Sequence, residues 1–239
     1  MKIDNRLPDD TAVAAVVDRW DDSLRARLGP ERSLGRTAVP IDARDALGRR
    51  QESMLGDLVT DAMRWGTGSD VAVLNAGTLR LDDVIRPGPL SNYQLESIFL
   101  FPDETRVLTV PLTGARLRQI LEHGVADGSL GKGGFLQVSG LVFSYDPAAP
   151  SGSRIRGDVQ RKGGALGDQD TVRVAIPVYP ACEGGDGYDV PEAAAACAER
   201  AGAPRAADLL MRYVGDSLRG EITPPQSGRI TRAGNTNPG

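Results

Sequence analysis

Histidine and cysteine are scarce in this sequence, and long apolar runs are missing. The 239 residues include one histidine, His123, and two cysteines, Cys182 and Cys197. A structural zinc site usually takes four ligands drawn from Cys and His, so this composition makes one improbable. No apolar run approaches the roughly 20 residues of a membrane-spanning helix, which predicts that the chain has no membrane span.

The sequence also has no large excess of charge of one sign. The net charge is −4 and no long basic run occurs, so we expect no nucleic-acid partner. Hydrophobic residues make up 40% and charged residues 25% of the chain, which is ordinary for a globular protein. The length allows one large domain or two small ones.

The two cysteines leave two alternatives open. In an oxidising compartment they could form one disulfide, between a glycine-rich turn and the helix that follows it. They could equally be two separate buried thiols. The start of the chain, residues 1–4, leads directly into polar sequence, so no secretion signal is visible; an expressed fragment would begin in the same way.

Hydrophobic periodicity predicts helices and strands that interleave along the chain. Helices are predicted at 9–28, 53–65, from 91 to about 99, from 113–114 onward, 191–201 and 206–218. Strands are predicted at 71–74, 107–110, 135–145, 154–161 and 172–176, with a bulge or a close approach of the backbone at Ser139-Gly140. Because several strands follow one another between 135 and 176, we expect an α+β fold with mixed sheets, a layered α/β arrangement.

The two ends of the chain have distinct patterns. In the first helix an apolar stripe recurs at helical spacing, formed by Val13, Val17, Trp20, Leu24 and Leu28. This stripe could belong to the domain's own core, or it could dock on a neighbouring domain. Residues 233–239 are predicted to be a disordered tail.

The stretch 182–188, Cys-Glu-Gly-Gly-Asp-Gly-Tyr, is the most informative turn in the chain. Three glycines in four positions permit positive φ angles and a close approach of the backbone to another surface. Asp186 could accept hydrogen bonds from ligand hydroxyls, or it could simply cap the turn. Taken alone, the motif favours the structural role.

Six blocks of sequence in a fixed order change that balance. The chain resembles the C-terminal domain of the 5′-nucleotidase family over about residues 40–230. The blocks are Glu52-x-x-Leu55-Gly56-Asp57-Leu58-x-x-Asp61-Ala62, Leu74-Asn75-Ala76-Gly77-x-x-Arg80, Leu112-Thr113-Gly114, Leu121-Glu122-His123, Phe135-Leu136-Gln137-Val138-Ser139-Gly140 and Gly184-Gly185-Asp186-Gly187-Tyr188.

The resemblance implies a division of labour between two domains. In that family the C-terminal domain binds the nucleoside part of the substrate, and an N-terminal metallophosphatase domain holds two divalent metal ions and hydrolyses the phosphate ester. The family's metal site uses several histidines and cannot be assembled with one. We therefore expect residues 1–30 to be the interdomain connecting helix and residues 31–232 to be the substrate-binding domain. The chain is interpreted as an excised domain without catalytic or metal-binding residues, inactive by itself.

The resemblance also implies binding residues. Asn75, Gly77 and Arg80 match the family's Asn-Gly-Gly-x-x-Arg turn, although Ala76 replaces one glycine. Asn75 would contact the base or ribose, and Arg80 the ribose hydroxyls or the phosphate. Arg49, or alternatively Arg50, would lie on the phosphate side.

In the family two aromatic rings sandwich the base. Phe101 is the candidate for the first ring, unless it belongs to the core. The position of the second ring is occupied by Pro180, so the sandwich requires Tyr179 to replace it. Asp186 would bind the ribose hydroxyls.

The resemblance predicts a role in nucleotide catabolism for a secreted, periplasmic or cell-surface protein, with a nucleotide or nucleoside as the small-molecule partner. The altered aromatic positions leave other substrates open: a nucleotide-sugar, a cyclic nucleotide or a sulfur-compound ester. A third alternative is a free-standing binding module without a catalytic partner.

Overall fold

The structure, a computed structural model, describes residues 10–126 and 130–233. Its helices are α1 (Thr11–Leu28), α2 (Asp45–Gly48), α3 (Met54–Thr67), α4 (Asn92–Glu96), α5 (Gly114–Ala126), α6 (Val178–Cys182), α7 (Ala194–Ala198) and α8 (Ala206–Arg212). Its strands are β1 (Ser33–Thr37), β2 (Ile41–Asp42), β3 (Val71–Asn75), β4 (Val84–Ile85), β5 (Gly88–Ser91), β6 (Val107–Thr113), β7 (Leu136–Ser139), β8 (Leu141–Tyr145), β9 (Ile155–Arg161), β10 (Gly164–Ala165), β11 (Thr171–Pro177), β12 (Glu221–Ile222) and β13 (Ile230–Arg232).

The central sheet has the strand order β6-β11-β3-β7. Strands β11 and β3 run parallel, whereas β6 and β7 are antiparallel to their neighbours. A second sheet has the order β10-β9-β8-β13, and β1 pairs with β5 and β12 in a third. The sheets are therefore mixed, which confirms the predicted α+β class.

Strand β3 separates two hydrophobic cores. Its side chains alternate between them, with Val71 and Val73 on one side and Ala72 and Leu74 on the other. The first core also contains α5 and the second sheet, and the second contains α3 and α8. Because both faces of β3 are covered, its sequence is continuously apolar rather than alternating.

Local sequence signals account for several element ends. Ser91 and Gln94 form the predicted capping box at the start of α4, which satisfies backbone donors at that end of the helix. Gly140 has a φ of 83°, and here the single strand predicted at 135–145 is divided into β7 and β8, which belong to different sheets. Asp10 caps α1 by accepting hydrogen bonds from two backbone amides.

Three predicted helices differ from the observed ones. The helix predicted at 191–201 is divided into a 3-10 turn at Pro191–Ala193, α7, and a second 3-10 turn at Arg200–Gly202. Helices are stabilised mainly by packing an apolar face, and no residue of α7 is buried. Helix α4 ends at Glu96 rather than near Phe99, and α8 continues as a π-helical turn, Tyr213–Ser217.

Helix α1 contributes no buried residue. Val13, Val17 and Trp20 on its predicted apolar stripe are 61%, 52% and 69% exposed. The stripe is therefore not part of this domain's own core. The first residue of the predicted helix, Asp9, and all of the predicted tail except Ala233 lie outside the described residues.

Candidate ligand-binding cleft

Four segments meet at one edge of the central sheet. Since β3 and β11 are parallel neighbours, the segments that follow Asn75 and Pro177 leave the sheet at the same edge. Pro177 also pairs with Val107, and Asn75 pairs with Leu136. The segments that precede β6 and β7 therefore enter at that edge too, which brings residues 99–106 and 131–135 to the turns after β3 and β11.

These segments surround a cleft of about 710 Å³. All seven residues predicted as binding residues line it: Arg49, Asn75, Gly77, Arg80, Phe101, Tyr179 and Asp186. Arg50, the alternative to Arg49, is not among the lining residues. The topology thus gathers into one place residues that the sequence spreads over 138 positions.

A hydrogen-bond chain orients Asp186 in the lining of the cleft. Nδ2 of Asn75 donates to Oδ2 of Asp186 over 2.7 Å, and the Thr78 hydroxyl donates to Oδ1 of Asn75 over 2.7 Å. Asn75 is only 1% exposed, so its amide is committed to these partners. This geometry orients the Asp186 carboxylate, and the expected contact of Asn75 with a base or ribose stays a prediction.

The backbone of Asp186 is held from the opposite side of the turn. Asp186 has a φ of 55°, a left-handed conformation that is uncommon outside glycine. Nε2–H of His123 donates to its carbonyl oxygen over 2.9 Å. The His123 ring packs edge-on against Tyr188, and the Tyr188 hydroxyl donates to the carbonyl oxygen of Gly134. Burial raises the pKa of Tyr188, which keeps this hydroxyl a donor.

Gly77 permits two loops to touch. Its amide donates to the carbonyl oxygen of Gly133 over 2.8 Å. A Cβ atom at Gly77 would lie 3.0 Å from the Cα atom of Gly133, which is closer than ordinary contact. The predicted glycine therefore serves close backbone packing at the cleft wall.

The two arginines share one carboxylate that the sequence analysis missed. Nη2 of Arg49 lies 2.7 Å from Oδ2 of Asp45, and Nε of Arg80 lies 4.0 Å from the same oxygen. Nε of Arg49 is buried and has no hydrogen-bond partner among the described residues. Asp45 and Arg49 are one helical turn apart, and this spacing was the available signal.

Two aromatic side chains line the cleft with much of their surface open. Phe101 is 56% and Tyr179 is 49% exposed, so Phe101 does not belong to the core. Pro180, which occupies the family's ring position, is buried. The Tyr179 ring lies directly over Gly185, where a Cβ atom would approach it to 2.3 Å.

Other lining residues carried no motif that could have identified them. They include Thr78, Leu100, Glu104, Thr105, Gly133, Pro177, Val178 and Glu183. Glu104 and Glu183 add two exposed carboxylates on the segments that bear Phe101 and Tyr179. The cleft is thus basic near Arg49 and Arg80 and acidic near the rings.

Cys182 and Cys197 form a disulfide, so the disulfide alternative is the one observed. The bond anchors the end of α6 directly before the turn at residues 184–187 to α7. Among residues 10–126 and 130–233, no group of three or more His, Cys, Asp or Glu is arranged to hold a metal ion. A two-metal site does not fit the side chains described. None of the described helices is long and apolar enough to span a bilayer.

Comparison with known proteins gives one consistent result. The sequence profile of the family described as 5′-nucleotidase, C-terminal domain, matches residues 33–193. A snake venom 5′-nucleotidase from Macrovipera lebetinus is 27% identical over 94% of this chain and 58% of its own length. The trifunctional nucleotide phosphoesterase of Bacillus subtilis is 28% identical over 66% of this chain and 11% of its own length.

The solved structures agree with the sequence relatives. The crystal structure of a 5′-nucleotidase precursor from Thermus thermophilus superposes with a TM-score of 0.76 and 26% identity, over 95% of this chain and 44% of that one. In each of these comparisons the chain spans less than two thirds of the relative's length.

Proposed function

Because the chain belongs to the family of 5′-nucleotidase C-terminal domains, we propose that it is the substrate-recognition domain of a 5′-nucleotidase-like metallophosphoesterase of nucleotide catabolism. Its ligand is a nucleotide or nucleoside that binds in the cleft described above. One observation carries this proposal: the oriented carboxylate of Asp186, two open aromatic rings and two arginines line the same cleft.

Each part of the cleft suits one part of such a ligand. Asp186 accepts hydrogen bonds from the vicinal ribose hydroxyls with the carboxylate oxygen that Asn75 leaves free. Phe101 and Tyr179 provide flat faces for the base, an interaction of about 1–3 kcal/mol per base. Arg49 and Arg80 attract the phosphate, with Asp45 holding them in place.

Hydrolysis belongs to a second domain in this proposal. That domain would hold two divalent metal ions, and the present chain would only bind and orient the substrate. Helix α1 would be the interdomain connection within residues 1–30, and its exposed apolar stripe would dock on the catalytic domain. Residues 31–232 would form the recognition domain.

Export from the cytoplasm is the proposed location. The disulfide supports it, since disulfides form and persist mainly in secreted, periplasmic and surface proteins. The venom origin stated in the name of one relative points in the same direction.

Calorimetric titration with adenosine, AMP and UDP-glucose tests the proposal. We expect adenosine and AMP to bind, and Asp186→Asn to weaken both about tenfold or more, because a hydrogen bond to a charged group contributes about 1.5–3 kcal/mol. Phe101→Ala should weaken adenosine binding by a similar factor. Asp158→Asn and Val142→Ala, exposed substitutions on β9 and β8, are the controls.

Two outcomes would redirect the proposal. Tight binding of UDP-glucose without adenosine binding would favour the alternative of a nucleotide-sugar substrate in the same enzyme class. Phosphatase turnover by a clean preparation of this chain with Mg²⁺, Mn²⁺ or Zn²⁺ would refute the assignment of hydrolysis to another domain.

A further inference from the structure

Helix α1 is attached to the rest of the protein at its C-terminal end. Nη1 of Arg27, in its last turn, lies 3.1 Å from Oε1 of Glu96 and 3.0 Å from Oδ2 of Asp103. The Tyr93 hydroxyl donates to the carbonyl oxygen of Gly29 just beyond the helix. Since α1 buries no side chain, these polar contacts fix where it lies.

A second arginine forms ion pairs with the same two carboxylates. Nη1 of Arg205 lies 3.0 Å from Oε1 of Glu96 and 2.7 Å from Oδ1 of Asp103. The Glu96 side chain is only 4% exposed, so the centre of this network is screened from solvent. The Asp103 side chain is 61% exposed, so the two arginines hold it through short contacts at the surface, and only the Glu96 pairs are shielded from solvent.

Asp103 belongs to the turn that presents Phe101 to the cleft. The carbonyl oxygen of Phe101 accepts hydrogen bonds from the amides of Glu104 and Thr105 and from the Thr105 hydroxyl at 2.7 Å. The turn is closed on itself, so whatever fixes Asp103 also fixes the backbone that carries the Phe101 ring. Arg27 holds Asp103 from the side of α1, and Arg205 from the side of α8.

We propose that Arg27 is a positioning residue for the aromatic side of the cleft, and that its ion pairs with Asp103 and Glu96 couple α1 to Phe101. Arg27 does not line the cleft, so it acts through the turn rather than on the ligand. A displacement of α1 by a docked domain would then alter affinity for the base. The effect on binding rests on the proposed function; the coupling of the turn to α1 does not.

The binding test compares two arginines of the same helical turn. Arg27→Ala should weaken adenosine binding about three- to fivefold and leave ribose 5-phosphate, which has no base, unchanged. Arg25→Ala, which removes an exposed arginine of the last turn, should change neither. Arg27→Lys should bind nearly as well as the wild type, because one ammonium group can replace the single Nη1 atom that contacts both carboxylates.

A double-mutant cycle tests whether Arg27 affects adenosine binding through the Phe101 ring. In the Phe101→Ala background, Arg27→Ala should cause no further loss of adenosine affinity. A loss that persists without the Phe101 ring would overturn the proposal, and so would equal losses for adenosine and ribose 5-phosphate. Unchanged adenosine affinity in Arg27→Ala would also overturn it.

Amide hydrogen exchange provides a readout that needs no ligand. The amides of Glu104 and Thr105 should exchange faster in Arg27→Ala and in Asp103→Asn than in the wild type or Arg25→Ala. Unchanged exchange in Arg27→Ala would overturn the coupling, whatever Asp103→Asn shows, because Asp103→Asn also removes the pair with Arg205. If the wild type binds neither adenosine nor AMP, the proposed function fails, and the exchange rates alone decide whether α1 holds the Phe101 turn.

Discussion

Nδ2 of Asn75 donates a 2.7 Å hydrogen bond to Oδ2 of Asp186, although 111 residues separate the two in sequence. The bond joins the end of β3 to the glycine-rich turn after α6. It occupies Oδ2 of Asp186, so in the proposed complex Oδ1 would be the oxygen that accepts from the ligand. The orientation of Asp186 therefore depends on a side chain that is itself buried.

We predict that Asn75→Asp weakens nucleoside binding at neutral pH by about tenfold or more, because the new carboxylate would be buried and would face that of Asp186. The same repulsion should lower the melting temperature, and acidification should restore it as one carboxylate takes up a proton. Calorimetry and thermal denaturation across pH measure both effects. Wild-type affinity in this variant would show that the bond does not orient Asp186.

Gly185→Ala should displace Tyr179, since the new Cβ atom would lie 2.3 Å from the ring. We expect weaker adenosine binding and little change for ribose 5-phosphate. Gly202→Ala is the matched control, because its Cβ atom would meet nothing within 4 Å. Calorimetric titration of both variants with adenosine and ribose 5-phosphate measures these affinities. Equal adenosine affinity in the two variants would contradict the prediction.

Loss of the disulfide should reduce stability by about 2–4 kcal/mol, the typical contribution of such a bond, here with a sequence separation of 15. Urea denaturation of the wild type with and without reductant measures this difference. A variant that combines Cys182→Ser and Cys197→Ser should match the reduced protein and be insensitive to reductant. We also expect weaker ligand binding, because the bond anchors the chain just before the turn of Asp186.

The raised pKa of Asp57 should make the stability of the protein depend on pH. Burial in α3 raises its pKa to about 8, with Glu52 and Asp61 adding to the increase and Arg229 opposing it. A carboxyl group with a raised pKa takes up a proton on folding. Its contribution to the free energy of unfolding therefore falls as pH rises from about 4, the pKa in the unfolded chain, to about 8.

Asp57→Asn should flatten this decline, because the amide does not titrate. Differential scanning calorimetry between about pH 5 and pH 8 measures the slope. Asp158→Asn, at an exposed position, should keep the wild-type slope. Equal slopes in Asp57→Asn and the wild type would mean that Asp57 is already ionised throughout this range.

Local signals in the sequence were sufficient for much of the fold. The capping box of Ser91 and Gln94 and the apolar run of β3 depend on neighbours a few residues away, so they could be predicted. The division of the alanine-rich segment after Pro191 into a short helix and 3-10 turns could not, since helix propensity is a weak signal that tertiary packing overrides. For the cleft, the family resemblance identified seven residues that lie together, and their binding roles remain predictions.

The pairings between distant residues were not predictable. Asp45 with Arg80, Asn75 with Asp186, and Arg27 with Asp103 join segments that are remote in sequence. Nothing in the spacing of such residues indicates contact. The structure adds that Tyr179, the residue predicted from the sequence, lines the cleft while Pro180 beside it is buried.

The sequence by itself determined the family, the α+β class and the set of residues that could bind a sugar-bearing ligand, because these depend on local periodicity and ordered motifs. Only the tertiary structure decided that these residues share one cleft, that Asn75 orients Asp186 and that α1 is joined to the Phe101 turn. The physical reason is the strand pairing: the parallel alignment of β3 and β11, with β6 and β7 beside them, brings four distant segments to one edge of the sheet.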